Sequence, residues 1–242
     1  MKRMDGSLIN SLRSIELMDR SYYENKRDDV AFFLKKSKPN NIGDLLEVGC
    51  ASGNFRDGLK GVRSYIGVDI TDSYFDFNIT YEFPSEFYKG NLVDVLNQLI
   101  EEGRSFDTIV ANDIIEHIDE HTKALRLIQK LLRPGGIFLG TVPNVRYFPV
   151  VYSLLFSCDW KYNPKGGVLD ATHLRFFTKK SIRRVLEQEK FVINKILTIN
   201  GFSETTSKKR MALYLLLKLF DFLTFNKFID MKNLQIFFLV SK

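Results

Sequence analysis

Asp-Leu-Leu-Glu-Val-Gly-Cys-Ala-Ser-Gly-Asn-Phe, at positions 44–55, gives the clearest structural signal in the chain. Its apolar start, 45–48, is a short run bounded by a loop, which predicts a buried parallel strand. Gly49 and Gly53 allow the backbone a tight turn and let a ligand approach closely. We predict that a short helix over 54–61 follows. The free N–H groups of the loop and of the helix N-terminus would then face a ligand.

The acidic residue Glu47 indicates what kind of ligand this loop holds. An unpaired carboxylate at the end of an apolar strand is costly to bury, so Glu47 needs donors or a cation. The dinucleotide fingerprint G-x-G-x-x-G is not met, because Ala51 replaces its middle glycine and Asn54 its third. A carboxylate suits a cationic ligand better than a phosphate. We therefore predict a cofactor loop that also includes Cys50 and Phe55.

Composition limits the class of protein. The chain has 242 residues, 45% of them hydrophobic and 26% charged, which fits one soluble α/β domain with a large core. Its net charge of +6 predicts a solvated basic surface, with an anionic substrate or a membrane surface as the alternative. No nucleic-acid-binding motif accompanies the charge, so we predict no nucleic-acid partner.

The cysteines and the N-terminus bear on the compartment. Cys50 and Cys158 lack the spacing of a metal site, and we predict neither a metal nor a disulfide, as in a reducing cytosol. Residues 1–20 carry charges throughout and lack the apolar core of a signal peptide, so we expect a cytoplasmic protein. Residues 1–40 are predicted to form a helical cap. Within it, Tyr23 or Arg27 either contacts the ligand or lies on the surface.

A second strand is predicted over 64–69. It ends at Asp69, about twenty residues after the glycine loop, where an acid accepts hydrogen bonds from the two ribose hydroxyls of an adenosine ligand. Ile70 follows it in the predicted site. Residues 71–84 are rich in Phe and Tyr and are predicted to form an irregular lid. A short third strand at 87–88 then leads to Asn91 and Leu92.

A fourth strand over 106–111 ends at Asn112 and Asp113. Ligands bind at the carboxyl ends of parallel strands in open α/β sheets, so both side chains are expected to face the cleft. Pro-Gly-Gly at 134–136 ends the helix that precedes the fifth strand. The other predicted elements are helices over 122–133, 146–156 and 179–188, the last capped by Thr178, and strands over 137–142, 191–198 and 234–240.

In this order the motifs at 47–53, 69, 90–92, 112–117 and 134–141 resemble those of class I S-adenosylmethionine-dependent methyltransferases. The resemblance covers about residues 22–242. It implies an α/β, Rossmann-like fold: a seven-stranded, mostly parallel sheet with an antiparallel last strand, helices on both faces and helical insertions over the cleft. It also implies S-adenosyl-L-methionine as cofactor, S-adenosyl-L-homocysteine as product, and Asn91 and Leu92 at the adenine. We expect a single domain, 1–242, with substrate-side insertions at 143–177 and 203–233.

A narrower resemblance concerns 142–146 and 170–178. These segments are similar to small-molecule O-methyltransferases of the ubiquinone-biosynthesis type, and more so to those of bacterial surface-polysaccharide gene clusters. This implies O-methylation of a sugar, a nucleotide-linked sugar or a related phosphorylated precursor. The alternatives are a quinone or lipid precursor as acceptor, and a non-catalytic protein that binds S-adenosylmethionine for a partner.

An alcohol acceptor gains from a general base, and histidine has a suitable pKa. The candidates are His117 and His173, with Asp113 third. Guanidinium groups bind phosphate or carboxylate bidentately. On that basis, and by their place in the insertion, the predicted substrate-binding residues are Asn144, Arg146, Tyr147, His173 and Arg175.

Residues 211–225 are strongly apolar but carry Lys218 and Asp221. A membrane-spanning helix needs about 20 apolar residues, so this run is too short to span a bilayer. We predict a helix packed on the domain, on a lid or in a dimer contact, with a helix on a membrane surface as the alternative. Monomer and homodimer both stay open.

Overall fold

The computed structural model describes residues 27–38, 40–164, 166–201 and 227–242, together with residues 215, 218, 219, 222 and 224. The predictions for Tyr23, for the cap before residue 27 and for most of 203–226 lie outside the described residues.

A seven-stranded sheet organises the described residues, in the order β3-β2-β1-β4-β5-β7-β6. β7 runs antiparallel to both of its neighbours, and the pairs among β1 to β5 are parallel. This confirms the predicted Rossmann-like sheet. The strands are β1 Gly43–Val48, β2 Val62–Asp69, β3 Ser85–Lys89, β4 Phe106–Asn112, β5 Leu132–Pro143, β6 Val192–Gly201 and β7 Asn233–Ser241.

Helices cover both faces of the sheet, as predicted. Successive side chains of a strand point to opposite faces, so Leu45 and Leu46 of β1 belong to two separate hydrophobic cores. The first helix packs in the core of Leu45, and three later helices pack in that of Leu46. The five α-helices of the described residues are α1 Asp28–Ser37, α2 Leu92–Glu101, α3 His121–Leu131, α4 Phe148–Phe156 and α5 Lys179–Gln188.

The predicted helix over 54–61 is wrong. The chain forms only a 3₁₀ turn, Asn54–Arg56, and then an extended residue at Asp57. Gly58 and Gly61 follow with φ of +66° and +73°, a left-handed conformation that an α-helix does not contain. The glycine loop therefore leads into a compact turn rather than into the N-terminus of a long helix.

β5 begins five residues earlier than predicted, at Leu132. Leu132 pairs with Phe106, whereas Ile137 pairs with Thr108. The register of the β4–β5 pair therefore shifts between these two points. Gly135 allows this, with a φ of +74°. The Pro-Gly-Gly sequence thus lies within an irregular start of the strand.

α4 starts at Phe148, two residues later than predicted. The turn before it is fixed by Asn144, whose side-chain oxygen accepts a hydrogen bond from the Arg146 backbone N–H at 3.1 Å. None of the side chains of α4 is buried, and Leu155 and Phe156 are 64% and 71% exposed. No helix formed by the described residues is both long enough and apolar enough to cross a membrane.

Replacing Thr178 by alanine is expected to lower the free energy of unfolding by about 1 kcal/mol. Thr178 is the N-cap of α5: its hydroxyl accepts from the Ser181 N–H at 3.1 Å, and the Ser181 hydroxyl accepts from the Thr178 N–H at 2.8 Å. Urea unfolding measures the change, with Lys180→Ala on the exposed face of α5 as the control. Equal midpoints for the two variants would contradict this role of Thr178.

Candidate active site

Two adjoining cavities lie at the carboxyl ends of β1, β2 and β4, the edge predicted to bind a ligand. Their volumes are about 690 Å³ and 230 Å³. The larger reaches the loop at 167–173 and the start of β7, and the smaller reaches the N-terminus of α2. Both are lined by Gly49, Asp69, Ile70, Ile114 and His117.

The glycine loop follows β1 and forms part of the wall. Gly49 has a φ of +69°, and a Cβ there would stand 2.8 Å from the Ile114 side chain. Ala51 also has a positive φ, 44°, which is uncommon for a residue with a side chain. Its backbone N–H donates to the Asp69 Oδ2 at 2.9 Å, which holds the loop in this shape.

Asp69 ends β2 and lines both cavities. Its second carboxylate oxygen accepts a hydrogen bond from the Thr71 N–H at 3.3 Å. Burial raises its pKa, although the backbone donors act in the other direction. The carboxylate is thus held at the cavity wall by the chain on either side of it, and each oxygen keeps a lone pair for a further donor.

Glu47 lines the larger cavity and is almost fully buried. Burial raises the pKa of its carboxyl to about 8, even though a hydrogen bond from the Tyr65 hydroxyl at 2.6 Å and the charge of Arg56 lower it. Glu47 therefore carries a proton at neutral pH unless a positively charged ligand lies next to it, even with Arg56 nearby. A positively charged ligand would favour its ionised form.

Replacing Glu47 by glutamine is expected to abolish a proton release that accompanies binding of a cationic ligand. Below pH 8 the wild-type carboxyl must lose its proton to pair with the ligand, so affinity rises with pH and levels off above about 8. At pH 7 we expect about one proton released per ligand bound. Calorimetry in buffers of different ionisation enthalpy measures it, with exposed Glu101→Gln as control. Equal release in both variants would contradict this role.

Asn91 and Leu92 line the smaller cavity. Asn91 is also the N-cap of α2, because its side-chain oxygen accepts from the Val93 N–H at 3.0 Å. This second role was not predicted. Because Asn91 both caps α2 and lines the cavity, the start of α2 lies beside the cavity. The side-chain NH₂ of Asn91 is not used in the cap and can donate to a ligand.

Arg27 and Asp113 meet in the wall of the larger cavity. The Arg27 guanidinium forms an ion pair with Asp113 and a second one with Asp29, at 2.9 Å. It also donates to the Thr141 hydroxyl at 3.1 Å. Burial alone would lower the pKa of Arg27, but the two carboxylates outweigh burial and raise it. Gln235 donates to the same Asp113 oxygen, so this carboxylate is held from both sides.

Glu116, His117 and His173 form a cluster that lines the larger cavity. Each offers one ligand atom within 4.8 Å of those of the other two. Glu116 is fully buried, and among the described residues neither of its carboxylate oxygens has a hydrogen-bond partner. The His173 Nε2 lies 3.9 Å from the nearer one, too far for a hydrogen bond. Burial raises the pKa of Glu116 well above its ordinary value.

The hydrogen bonds of the two imidazoles determine which ring nitrogen carries the hydrogen in the neutral form. His173 Nδ1 lies 3.0 Å from the Val168 carbonyl oxygen, which can only accept, so Nδ1 carries the hydrogen. His117 Nδ1 lies 3.0 Å from the Thr172 hydroxyl, which itself donates to Asp170. His117 therefore also donates from Nδ1. Burial and the neighbouring His173 lower the pKa of His117 to about 4. In the neutral rings both Nε2 atoms are unprotonated.

Most residues predicted to hold the cofactor do line the cavities. Tyr23 lies outside the described residues, and Gly53 lies behind the wall, where a Cβ would stand 2.8 Å from the Phe75 ring. The predicted cofactor residues that line the larger cavity are Arg27, Glu47, Gly49, Cys50, Ala51, Phe55, Asp69, Ile70, Asn112 and Asp113.

Of the residues predicted to bind substrate, only His173 lines a cavity. Asn144 donates to the backbone carbonyls of Asp230, at 2.8 Å, and Asn233, at 2.9 Å. Arg146 forms an ion pair with Asp230 at 2.9 Å. These contacts fix the chain before α4 against the chain before β7. They use the polar groups that were predicted to bind a substrate.

Arg175 and Tyr147 also lie outside the cavity walls. Arg175 donates to the carbonyl oxygens of Leu174, at 2.8 Å, and Asp119, at 3.1 Å. The Tyr147 N–H donates to the Asn144 carbonyl at 2.9 Å. Both residues therefore stabilise loops beside the site.

Glu116 was missed by sequence reasoning, although a signal for it exists. Like Glu47, it is an acid among apolar residues, which predicts a buried carboxylate that needs a partner. Thr172 and Asp170 could not be assigned, because their role is to orient His117 from a distant part of the chain.

Comparison with known proteins identifies the family. A family model described as a methyltransferase domain matches residues 18–195. The mitochondrial ubiquinone biosynthesis O-methyltransferase of Rattus norvegicus is 24% identical over 178 residues, which are 69% of this chain and 50% of that protein. The chain thus spans about half the length of this relative.

Solved structures show the same fold. A SAM-dependent methyltransferase from Archaeoglobus fulgidus superposes with a TM-score of 0.59 at 19% identity, over 91% of this chain and 96% of that one. Phosphoethanolamine N-methyltransferase 2 of Haemonchus contortus, solved in complex with S-adenosyl-L-methionine, gives 0.54 at 16% identity, over 89% and 52%. With the family match across most of its length, the chain belongs to the class I methyltransferases, enzymes whose methyl donor is S-adenosylmethionine.

Proposed function

We propose that the enzyme methylates a hydroxyl oxygen of a small molecule bound in the larger cavity. The observation that carries this proposal is the cluster of Glu116, His117 and His173, which lines the same cavity as Glu47 and Asp69. A hydroxyl must lose its proton as it accepts a methyl group, so the acceptor needs a base or a cation beside it. A nitrogen acceptor with a free lone pair would need neither.

A divalent cation fits the cluster. Two imidazoles and a buried carboxylate offer nitrogen and oxygen ligands that Zn²⁺, Mn²⁺ and Fe²⁺ share. The His173 Nε2 and the nearer Glu116 oxygen lie 3.9 Å apart, close enough for both to bind one cation. When bound, a cation would act as a Lewis acid that lowers the pKa of a hydroxyl at the site.

The side chains around the cluster would orient the groups that take part in methyl transfer. The Val168 carbonyl and the Thr172 hydroxyl hold the two imidazole rings in one orientation and one tautomer. The Arg27–Asp113 ion pair stiffens a neighbouring part of the wall, close enough for its charges to act on Glu116. Methyl transfer from a sulfonium is an in-line displacement, so a rigid cavity that aligns the acceptor oxygen with the methyl group supplies most of the catalysis.

The competing mechanism uses no metal. There His173 Nε2 takes the hydroxyl proton, and Glu116 stabilises the imidazolium that forms. Titrating Mn²⁺ alone into protein freed of metal by chelation separates the two. One bound Mn²⁺ per chain supports the metal mechanism. No binding, with transfer to an acceptor that persists in EDTA, supports the base.

The acceptor that we propose first is an aromatic hydroxyl, as in a quinone precursor. The curated relatives include ubiquinone biosynthesis O-methyltransferases. Arg146 and Arg175, which would have bound a phosphate, are engaged within the protein. The second candidate is a sugar or nucleotide-linked sugar of surface glycan biosynthesis, supported by the sequence resemblance of 142–146 and 170–178. Formation of S-adenosylhomocysteine with a panel of catechols and nucleotide sugars, followed by mass spectrometry, distinguishes the two classes.

Contact with a membrane surface is part of the quinone proposal. Leu215, Leu219 and Phe222 have the spacing of one helix face and are exposed. Cosedimentation with anionic vesicles tests it, using the double variant Leu219→Glu and Phe222→Glu. Binding lost in this variant supports membrane contact, and no binding by the wild-type protein contradicts it.

The third hypothesis, a non-catalytic protein that binds S-adenosylmethionine for a partner, makes a different prediction. It predicts tight cofactor binding but no S-adenosylhomocysteine with any acceptor of the panel. Turnover of a single acceptor rejects it.

A further inference from the structure

Arg56 is a buried cation that neither the cofactor nor the acceptor proposal uses. It lies in the 3₁₀ turn after the glycine loop, is 2% exposed and lines neither cavity. Its guanidinium carbon lies 4.6, 4.7 and 4.2 Å from the ring centroids of Tyr65, Phe75 and Tyr81. Within the described part of the chain, its Nε and Nη1 have no hydrogen-bond partner. The three rings therefore enclose the guanidinium and stabilise its charge.

Two of these rings belong to the irregular segment 71–84, which contains neither helix nor strand. Phe75 packs against the glycine loop, since a Cβ at Gly53 would come within 2.8 Å of its ring. Tyr81 donates a short hydrogen bond to Asp57, directly after Arg56. Arg56 and Asp57 thus hold both halves of the segment against the turn that follows the glycine loop.

The same segment forms part of the cavity wall. Thr71 and Tyr74 line the larger cavity, next to Asp69 and Ile70. A segment without regular secondary structure keeps its shape only through side-chain contacts. The shape of this wall therefore depends on the cage that the rings of Tyr65, Phe75 and Tyr81 form around Arg56.

We propose that Arg56 is a positioning residue for S-adenosylmethionine: clasped by Tyr65, Phe75 and Tyr81, it fixes segment 71–84 as a wall of the cofactor cavity and places a positive charge behind Glu47. The proposal rests on the assignment of this cavity to the cofactor. It does not depend on the acceptor or on a metal, so it can fail or hold independently of the O-methylation proposal.

The charge of Arg56 gives the proposal a readout that a purely structural role lacks. Burial and the charges of Asp69 and Asp57 raise the pKa of Glu47. The hydrogen bond from Tyr65 and the positive charge of Arg56 lower it, and the result is a pKa of about 8. Arg56 is the cation in this set, and its charge lowers the pKa of Glu47. Its loss would raise that pKa above 8, so the rise of cofactor affinity with pH would move to higher pH.

Calorimetric titration of S-adenosylmethionine between pH 6 and 9 tests the proposal on Arg56→Met and Arg56→Lys. We expect Arg56→Met to lose about tenfold in affinity at pH 7, and its pH profile to shift upward. Arg56→Lys keeps the charge and should keep the wild-type profile. Exposed Arg184→Met is the matched control.

If Arg56→Met does not fold, Tyr81→Leu provides the test. This variant removes one ring of the cage and keeps the charge of Arg56. It should lower the affinity several-fold without shifting the pH profile. Wild-type affinity in folded Arg56→Met, or in Tyr81→Leu, would overturn the proposal. An equal loss in Arg56→Met and Arg56→Lys with no shift of the profile would also overturn it.

Discussion

Replacing Asp69 by alanine is expected to weaken binding of S-adenosylmethionine about 100-fold or more. The carboxylate would accept hydrogen bonds from both ribose hydroxyls, and a hydrogen bond to a charged group contributes about 1.5–3 kcal/mol. The change also removes the acceptor of the Ala51 N–H, which holds the glycine loop. Both effects act on the cofactor, so affinity measured by calorimetry should fall while the fold persists.

Two further variants isolate the ribose contacts. Asp69→Asn keeps an oxygen for the Ala51 N–H but loses the charge, so it should lose much of the affinity with the loop intact. Asp94→Asn, on the exposed side of α2, should behave as wild type. Affinity within a factor of about two of wild type in Asp69→Ala would contradict the placement of the cofactor in this corner.

Replacing Glu116 by glutamine is expected to lower turnover at saturating cofactor by about 100-fold or more. The carboxylate is the charged member of the cluster, whether it holds a cation or stabilises an imidazolium. The same change should not weaken the fold, because Glu116 is fully buried and its oxygens have no hydrogen-bond partner among the described residues, and a neutral amide costs less to bury than a carboxylate. Turnover and melting temperature should therefore move independently.

Exposed Glu101→Gln is the control for this variant, and cofactor affinity is a second readout. Glu116→Gln should bind S-adenosylmethionine nearly as tightly as wild type, since Glu116 is not among the residues assigned to the cofactor. Wild-type turnover in Glu116→Gln would show that the cluster takes no part in methyl transfer.

The fold could be predicted from sequence because its signals are local. The short apolar-rich stretches at 45–48, 64–69 and 106–111 gave β1, β2 and β4 close to their observed bounds. The Thr178 cap gave the start of α5 for the same reason. The predicted helix over 54–61 failed because Gly58 and Gly61 take left-handed conformations, which the apolar spacing does not reveal.

The residues of the site that were easiest to predict are those at strand ends. Asp69 and Asp113 were found because the end of a parallel strand is a fixed place in such a sheet. Glu116 and His173 come together because residues 143–177 fold back against the end of β4, and no local pattern records that proximity. Arg146 and Arg175 were assigned to substrate by their charge, but their partners are carbonyls and an acid of neighbouring loops. Arg56 was missed because an arginine held by aromatic rings has no sequence signature.

The most direct test asks whether the cofactor methyl group and the cluster share one cavity. It uses S-adenosylmethionine labelled with ¹³C in its methyl group and measures how far Mn²⁺ broadens the NMR signal of that group. In the wild-type complex we expect Mn²⁺ to broaden the bound methyl signal more than the adenine signals. In Glu116→Gln the broadening should be lost. A methyl signal that Mn²⁺ leaves sharp in the wild-type complex, or broadens equally in the variant, would contradict a methyl-transfer site in which Glu116, His117 and His173 hold a cation.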